Sequence, residues 1–531
     1  MGDELTAPHR SIGVAISGGG HRATLWGLGV LLALVDLGLN RRVSVITSVS
    51  GGSIANGVVG LRTDYRTVGR DGMRDAVRPT IRHIVTEGLF FYGRTTNRFL
   101  AVALGAAAAA AAAWGLIVAI VVYQAARALL DLIGWVDGGT LRTLTIWPLG
   151  LAALAAYAAL VFFTYRYAGE WNWWVGGVGI AGAAVGVGLI VWDMVAEPIE
   201  WEMLPALAGL TIIAIILAVA ALTLFGRRSD VAQNALAKVH FGDATLGDLS
   251  PPTGSGGTRH VICASEMQSG IHAFFTDGFV YSYSFGLSTE VRKVPLAFAV
   301  QASAALPGAF APRRLETKPL KLGHAGEENA PGRDGPMILM DGGVYDNMAD
   351  QWFVGMSNRR QRWPAELAEK LSDVDDMLIA NASTGWTWRS FGGLALRSRE
   401  LQELTALGRI QSVMYNTIGR RRRAHLLDYW RARRPKEQGT FVEVNDDPTE
   451  RASADLAERV TAIAPPGGWA ALVEQTRTYP TVLRRIDQPT AVGILWHAYV
   501  MTALSAHRFF DAPLTEQQLP TMADFMESLK L

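Results

Sequence analysis

Two short apolar runs near the start of the chain each lead into a glycine-containing turn and then into a helical pattern. Ile12–Ile16 precedes three consecutive glycines and a helical spacing of apolar positions over Ala23–Leu37. Val43–Thr47 precedes Ser50 and a second helical segment that begins at Ile54. Runs of β-branched residues predict buried strands, and helical spacing predicts amphipathic helices. Two successive strand–turn–helix units indicate the start of an α/β domain.

Similar patterns return in the second half of the chain. We expect strands at Val261–Ala264, Phe279–Phe285, Met337–Met340 and Met377–Ala380, and helices at Ser229–Asp248, Pro295–Ala305, Leu394–Tyr429 and Ala491–Phe510. A further helix is expected over Asp71–Phe90, although Pro79 lies inside it. Ala491–Phe510 is apolar but contains two histidines and an arginine, which favours a core or surface helix over a membrane span.

Between these two parts of the chain lie four uncharged, apolar segments, at about residues 99–123, 143–165, 171–192 and 203–226. Each is long enough to cross a bilayer, for which a helix needs about 20 apolar residues. Aromatic residues cluster at several of the ends, as they do at membrane interfaces. A bundle of buried helices in a soluble domain is the alternative. We therefore expect four transmembrane spans.

Charged residues at the ends of these segments predict their orientation. Arg94 and Arg98 precede the first segment and Arg227 and Arg228 follow the fourth, whereas the connection between the third and fourth carries acidic residues only. Basic residues favour the cytoplasmic side, so both ends of the insertion are expected there. Residues 1–94 and 229–390 are then two halves of one domain, interrupted by a transmembrane insertion at 95–228. Residues 391–531 are expected to form a helical C-terminal extension packed on that domain.

Composition adds little specificity. Half of the residues are hydrophobic and the mean hydropathy is +0.18, in agreement with a membrane-associated chain. The formal net charge is +1, which gives no reason to expect a nucleic-acid partner. Cys263 is the single cysteine, so an intrachain disulfide is excluded, and its apolar surroundings predict an inert buried thiol.

The first glycine-rich corner suits the binding of negative charge. Successive glycines at Gly18, Gly19 and Gly20 allow backbone N–H groups to approach a substrate, and each such donor is typically worth about 100- to 1000-fold in rate at an oxyanion. The glycine spacing of dinucleotide loops and the lysine of phosphate loops are both absent here. Arg22 follows in the helix and has three possible roles: fixing the loop, meeting a phosphate headgroup, or a structural ion pair.

The second corner presents a serine. Ser50 is flanked by Ser48, Gly51 and Gly52, whose small size suits the sharp turn between strand and helix from which a nucleophile projects. An ordinary helix-capping serine is the alternative. Later in the chain a strand delivers Asp341 to a Gly-Gly turn, where a carboxylate can act as the general base for a serine. A plain turn is the alternative for that motif.

Together these motifs resemble the patatin-like phospholipase family. The chain carries Gly18–Arg22 (GGGHR), Ser48–Gly52 (SVSGG) and Asp341–Asn347 (DGGVYDN) in the family's order, and Ala302–Pro307 (ASAALP) is similar to the segment before the aspartate. Resemblance covers residues 11–62 and 259–383. Ala23 and Ser48 stand where the family has glycine.

That resemblance implies a patatin-like three-layer α/β sandwich with a Ser50–Asp341 dyad. Gly18, Gly19 and Gly20 would supply the oxyanion hole, and no histidine, metal or cofactor would be needed. His21 is expected to have a surface role. Arg420–Arg423 (RRRR) is expected either to contact anionic lipid headgroups or to form a solvated helix face.

The function predicted is a membrane-anchored serine lipid acyl hydrolase of the phospholipase A or lysophospholipase type. Its substrate would be a membrane phospholipid or lysophospholipid, and its catalytic domain would be cytoplasmic in a multi-pass cell-membrane protein. Three alternatives remain: a lipid transacylase with the same dyad, a non-catalytic regulatory module, and transport through the spans. The spans also offer a surface for homo-oligomers.

Overall fold

A computed structural model describes residues 10–90, 226–249, 257–307, 309–322, 335–369, 371, 374–383, 399–433, 437–480, 485–515 and 518–531, with single residues at 212, 216, 219 and 223. Contacts divide the chain into a unit of Met1–Phe90 and Ala232–Leu531 and a second unit of Phe91–Val231. Three expected spans, at 99–123, 143–165 and 171–192, lie outside the described residues, as does most of 203–226. Within the described part of the chain, no helix has both the length and the apolar character that a bilayer crossing requires.

Ten strands of the described residues form one sheet: β1 Ile12–Ile16, β2 Val43–Val49, β3 Arg259–Glu266, β4 Ile271–Thr276, β5 Val280–Ser282, β6 Gly286–Ser288, β7 Arg313–Leu315, β8 Met337–Asp341, β9 Asp376–Asn381 and β10 Gln438–Glu443. The order is β10-β9-β1-β2-β3-β4-β5-β6. Strands β10 to β3 are parallel, β4 to β6 continue antiparallel, and β8 pairs antiparallel with both β3 and β7.

Helices of the described residues are α1 Gly20–Asp36, α2 Gly51–Arg62, α3 Arg70–Thr86, α4 Arg228–Leu236, α5 Leu296–Ser303, α6 Gln351–Val354, α7 Met356–Arg362, α8 Ala365–Ala368, α9 Arg399–Arg433, α10 Pro448–Arg451, α11 Ala457–Ala462, α12 Gly468–Thr478, α13 Gln488–Phe510 and α14 Met522–Leu529. The expected α/β class is therefore confirmed, with a sheet that is parallel from β10 to β3 and antiparallel beyond.

Alternate residues of the strands belong to two buried hydrophobic clusters, one on each face of the sheet. Val14 and Ile46 belong to the cluster that includes α1, α2 and α13. Ala15 and Val45 belong to the cluster that includes Trp352 of α6 together with residues of α9. A two-residue strand period places neighbouring side chains on opposite faces, so helices cover the sheet on both sides.

The chain departs from expectation in three elements. The helix expected at Ser229–Asp248 ends at Leu236 and continues as a π-turn, Ala237–Phe241. The strand expected at Phe279–Phe285 is only Val280–Ser282, because it is one arm of a tight hairpin with β4. The C-terminal part is not purely helical: β10 pairs with β9 at the edge of the main sheet, and α13 packs on α1 in the core.

Candidate active site

The pairing of β3 brings the ends of two other strands together. Val49, the last residue of β2, pairs with Cys263 of β3, and Asp341, the last residue of β8, pairs with the next residue, Ala264. Both strands therefore end on the same side of β3, one arriving parallel and the other antiparallel. Ser50 directly follows Val49, so this topology brings Ser50 and Asp341 together across a long stretch of sequence.

Ser50 lies at the corner between β2 and α2 with a left-handed backbone, φ 53° and ψ −126°. Residues other than glycine seldom adopt positive φ, and such strain is concentrated at functional sites. Its N–H is held by Ser303, whose carbonyl oxygen accepts at 3.1 Å and whose Oγ accepts at 3.0 Å. Ser303 Oγ in turn donates to the carbonyl of Cys263 at 2.6 Å. Ser303, the last residue of α5, therefore fixes the position of the Ser50 backbone.

Asp341 is buried and carries a perturbed carboxylate. Its N–H donates to Ala305 O at 3.1 Å, and its Oδ1 accepts from Gly343 N at 2.8 Å. Burial raises the pKa of Asp341 to about 6, while the neighbouring Ser50 side chain and the Gly343 N–H oppose the rise. Oδ2 forms no close hydrogen bond with any described residue. A base with this pKa is ionised at neutral pH and more basic than an ordinary aspartate.

The glycine loop places two unpaired N–H groups beside the serine. Gly19 has φ 143° and Gly20 has φ 60°, and neither N–H donates a hydrogen bond to a described residue. Gly18 differs from expectation, because its N–H donates to Asn347 O at 3.0 Å and is not available to an oxyanion. The helices that begin at Gly20 and Gly51 both point their N-termini at this corner, which favours negative charge there.

Close approach explains why glycine occupies these positions. A Cβ on Gly51 would lie 2.1 Å from the carbonyl oxygen of Gly20, and a Cβ on Gly52 would lie 2.7 Å from Ser17 O. Gly18 needs the space as well, since a Cβ there would be 3.2 Å from Ser50 Cβ and 2.3 Å from Asn347 Oδ1. The two corners are packed backbone to backbone.

Buried polar side chains of β2, α2, β3 and α5 form a hydrogen-bond network next to the Ser50 corner. Ser53 Oγ lies 2.8 Å from Ser303 Oγ and 3.1 Å from Ser48 Oγ. Asn56 Nδ2 donates to Ser48 Oγ at 2.9 Å, and Asn56 Oδ1 accepts from His260 Nδ1 at 2.7 Å. Burial lowers the pKa of His260 to about 4, so this histidine is neutral at pH 7. The hydroxyl of Ser48 is therefore part of this network.

Arg22 and His21 are both buried. The Arg22 guanidinium donates to Ala382 O at 2.8 Å and to the carbonyl of Tyr479, and burial lowers its pKa to about 10. Both acceptors lie outside the glycine loop, in the segments that follow β9 and α12, so Arg22 ties α1 to those two segments. The surface role expected for His21 is wrong, because the first turn of α1 packs inside the domain.

The arginine cluster of α9 is partly committed to ion pairs. Arg422 contacts Asp346 at 3.0 Å and Asp350 at 2.7 Å, and Arg423 contacts Glu443 at 3.1 Å. Arg422 is therefore largely withdrawn from solvent, whereas the side chain of Arg423 remains 41% exposed beside Glu443. Arg422 instead ties α9 to the loop that follows Asp341.

Sequence reasoning missed the positioning residues Ser303 and Asn347. Serine and asparagine are common loop residues, so neither stands out in the sequence. Only the fold shows that Ser303 accepts a hydrogen bond from Ser50 N–H and that Asn347 O accepts one from Gly18 N–H. Cys263 is buried as expected, and burial raises the pKa of its thiol. Among the described residues, no group of three or more His, Cys, Asp or Glu side chains is arranged to hold a metal ion.

Comparison with known proteins gives little. No protein-family model matches the chain, and no curated protein matches it. The crystal structure of VipD from Legionella pneumophila is similar to it at 13% sequence identity and a TM-score of 0.31, over 99% of this chain and 75% of that chain. A TM-score at this level shows no family.

Proposed function

We propose that the chain is a serine lipid acyl hydrolase of the phospholipase A or lysophospholipase type. The observation that carries the proposal is that Ser50, at the left-handed corner after β2, meets the buried Asp341, at the end of β8, along one edge of β3. The unpaired N–H groups of Gly19 and Gly20 lie on the loop beside it. Nucleophile, base and oxyanion donors are the three parts that acyl transfer through a serine requires.

In the first step Ser50 Oγ attacks the acyl carbonyl carbon while its proton passes to Asp341 Oδ2. The carbonyl oxygen becomes an oxyanion, which Gly19 and Gly20 stabilise. Collapse of the tetrahedral intermediate breaks the ester C–O bond. The leaving alcohol takes the proton from Asp341, and the acyl group remains on Ser50.

Water completes the cycle. Asp341 accepts a proton from water as its oxygen attacks the acyl-enzyme, and a second tetrahedral intermediate forms on the same oxyanion donors. Its collapse releases the carboxylic acid and returns the proton to Ser50. An alcohol or lysolipid that takes the place of water would give transacylation by the same residues.

The proposed setting is a multi-pass membrane protein with this domain on the cytoplasmic side. It is supported by the apolar segments between residues 99 and 226 and by the basic residues at both ends of that insertion. Tethering raises the effective concentration of the domain at a lipid surface. Membrane phospholipids or lysophospholipids are the proposed substrates, and a homo-oligomer through the spans is a further proposal.

Lipid analysis of membranes exposed to wild-type protein and to Ser50→Ala tests this function. Wild type should release fatty acid and lysolipid, and both Ser50→Ala and Asp341→Asn should not. Ser505→Ala is a matched control, because Ser505 is a buried serine near the C-terminal end of α13, which contacts Arg42 just before β2, at the opposite end of that strand from Ser50. Identical lipid profiles for wild type and Ser50→Ala would refute the hydrolase. Acyl transfer to an added lysolipid in place of fatty-acid release would identify a transacylase.

A further inference from the structure

The long helix α9 carries apolar and cationic side chains on one exposed face. Val413 and Met414 are 41% and 54% exposed, and Arg420 and Arg421 are exposed seven residues further along. Positions seven apart differ by only about 20° around a helix, so each arginine follows one of the apolar side chains along the same face. We call these four residues the outer face of α9. A single exposed apolar residue carries no information, but two consecutive ones in line with two cations form an amphipathic surface.

Another side of α9 is fixed to the domain. Leu426 and Trp430 are buried and belong to the hydrophobic cluster on one face of the sheet. Arg422 contacts Asp346 at 3.0 Å and Asp350 at 2.7 Å, and both carboxylates are buried. Rotation of the helix to bury its outer face would break these ion pairs and expose the two apolar side chains. The outer face therefore remains directed away from the domain.

The outer face adjoins the turn that holds the proposed base. Gly343 N donates to Asp341 Oδ1 at 2.8 Å. A Cβ on Gly343 would lie 3.0 Å from Cε1 of Tyr415, so the ring of Tyr415 packs on this turn. Tyr415 directly follows Met414 in α9. A surface that binds the outer face is therefore next to the loop that carries Asp341.

The exposed charge of this face is positive. Arg421 forms no ion pair or hydrogen bond with a described residue, unlike Arg422 and Arg423. Asp428 is the one acidic residue between Val413 and the end of α9, and it pairs with Arg431 at 3.1 Å. No carboxylate of this part of the helix therefore offsets the charge of Arg421, and the face is complementary to an anionic surface.

We infer that the outer face of α9 binds the surface of an anionic phospholipid bilayer beside the candidate active site. Val413 and Met414 enter the boundary between headgroups and acyl chains, and the two arginines contact lipid phosphates. Neutral lipid satisfies the apolar pair alone, whereas anionic lipid satisfies both halves of the face. The inference rests on the proposed function, because contact at this place brings lipid esters close to Ser50.

A fluorescent dye on the outer face tests the contact without turnover. Cys263 is the single cysteine and is buried, so a thiol introduced by Met414→Cys in full-length Ser50→Ala protein can be labelled selectively. The labelled protein is reconstituted in vesicles of equal parts phosphatidylcholine and phosphatidylglycerol. Brominated phospholipid should quench the dye. Met526→Cys is the matched control, an exposed methionine of α14. Its quenching should be at least about 3-fold weaker.

The control site lies at the other end of the domain. Arg74 joins α14 to the end of α1, through Ser528 Oγ at 3.1 Å and Asp36 at 2.8 Å, whereas the active-site corner is at the start of α1.

A charge variant separates anionic attraction from apolar contact. Arg421→Gln should lower the ratio of bound to free outer face about 5-fold in the mixed vesicles. Arg431→Gln makes the same change in net charge at a paired arginine and should leave the ratio unchanged. Pure phosphatidylcholine vesicles should give weaker quenching than the mixture.

Equal quenching at positions 414 and 526 overturns the inference. So does an absence of quenching at 414, the result expected of a face that meets solvent or an acidic protein. Fatty-acid release by wild type without quenching at 414 would refute this surface and leave the hydrolase in place. Quenching at 414 without hydrolysis by wild type would support the surface and refute the hydrolase.

Discussion

The N–H of Ser50 is shared by two oxygens of Ser303, the carbonyl oxygen at 3.1 Å and Oγ at 3.0 Å. Two residues later Ala305 O accepts from Asp341 N at 3.1 Å. One short segment at the end of α5 thus holds the backbone of both the proposed nucleophile and the proposed base. A residue with a left-handed backbone persists only where neighbouring groups hold it in place, because its conformation costs about 1–3 kcal/mol.

Ser303→Ala removes one of these acceptors and the contact with Ser53. We expect kcat to fall about 10- to 100-fold, because a small displacement of the nucleophile is enough to lose alignment with an acyl carbon. KM should change little, since Ser303 is not proposed to touch the substrate. Steady-state kinetics with a soluble ester measures both constants. Ser505→Ala is the control, and equal kcat values for these two variants would remove the positioning role of Ser303.

Gly51→Ala tests the close packing of the two corners. The new Cβ would lie 2.1 Å from Gly20 O, a backbone atom that moves only with its loop. Overpacking of this kind lowers the free energy of unfolding by about 1–3 kcal/mol, and hydrolysis should be lost because the oxyanion loop moves. Gly419→Ala on α9 meets nothing within 4 Å and should stabilise the fold by up to about 1 kcal/mol. Urea unfolding compares the variants, and full activity in Gly51→Ala would contradict the packing argument.

The pH dependence should report Asp341. Its pKa is raised to about 6 by burial, so kcat/KM should rise as the pH increases through about 6 and then level off. Burial and the negative charge of Asp346 together raise the pKa of Asp350 to about 8. Asp350→Asn is therefore the informative control, and the rise near pH 6 should persist in it. A rate that falls over this interval would contradict a carboxylate base.

Asp341→Asn should stabilise the fold at pH 8 while abolishing activity. Aspartate in an unfolded chain titrates near pH 4, and Asp341 in the native state titrates near pH 6. Between these values the native state binds more protons, so wild-type stability declines as the pH rises through the interval. The variant lacks this decline and should be about 1–3 kcal/mol more stable at pH 8. Denaturant unfolding at pH 4 and pH 8 measures it; a less stable variant at pH 8 would contradict this linkage.

Much of the site follows from the sequence, because strand ends and glycines are local features. Gly19, Gly20, Ser50 and Asp341 each lie in a turn that follows a predicted strand, and the meeting of Ser50 and Asp341 follows from the common edge of β3. The resemblance supplied the order of the motifs. Gly51 and Gly52 were predicted as small neighbours of the nucleophile, and the structure adds which backbone oxygens they approach.

Long-range partners could not be predicted in the same way. The sequence predicts Gly18 as an oxyanion donor, but in the structure its N–H donates to Asn347 O. In the sequence Arg422 is one of four consecutive arginines, and only the fold brings Asp346 and Asp350 into ion-pair contact with it. Pairings of this kind depend on tertiary contacts between distant segments, for which a single sequence carries no periodic signal.

The most direct measurement of the central claim is fluorophosphonate labelling of the intact protein, with the modified residue identified by peptide mass spectrometry. The account predicts stoichiometric label on Ser50 in wild type and in Ser505→Ala, and none in Asp341→Asn, which is expected to fold but lacks the base. Folded wild-type protein that takes no label, or that carries the label on another serine, would contradict the Ser50–Asp341 pair.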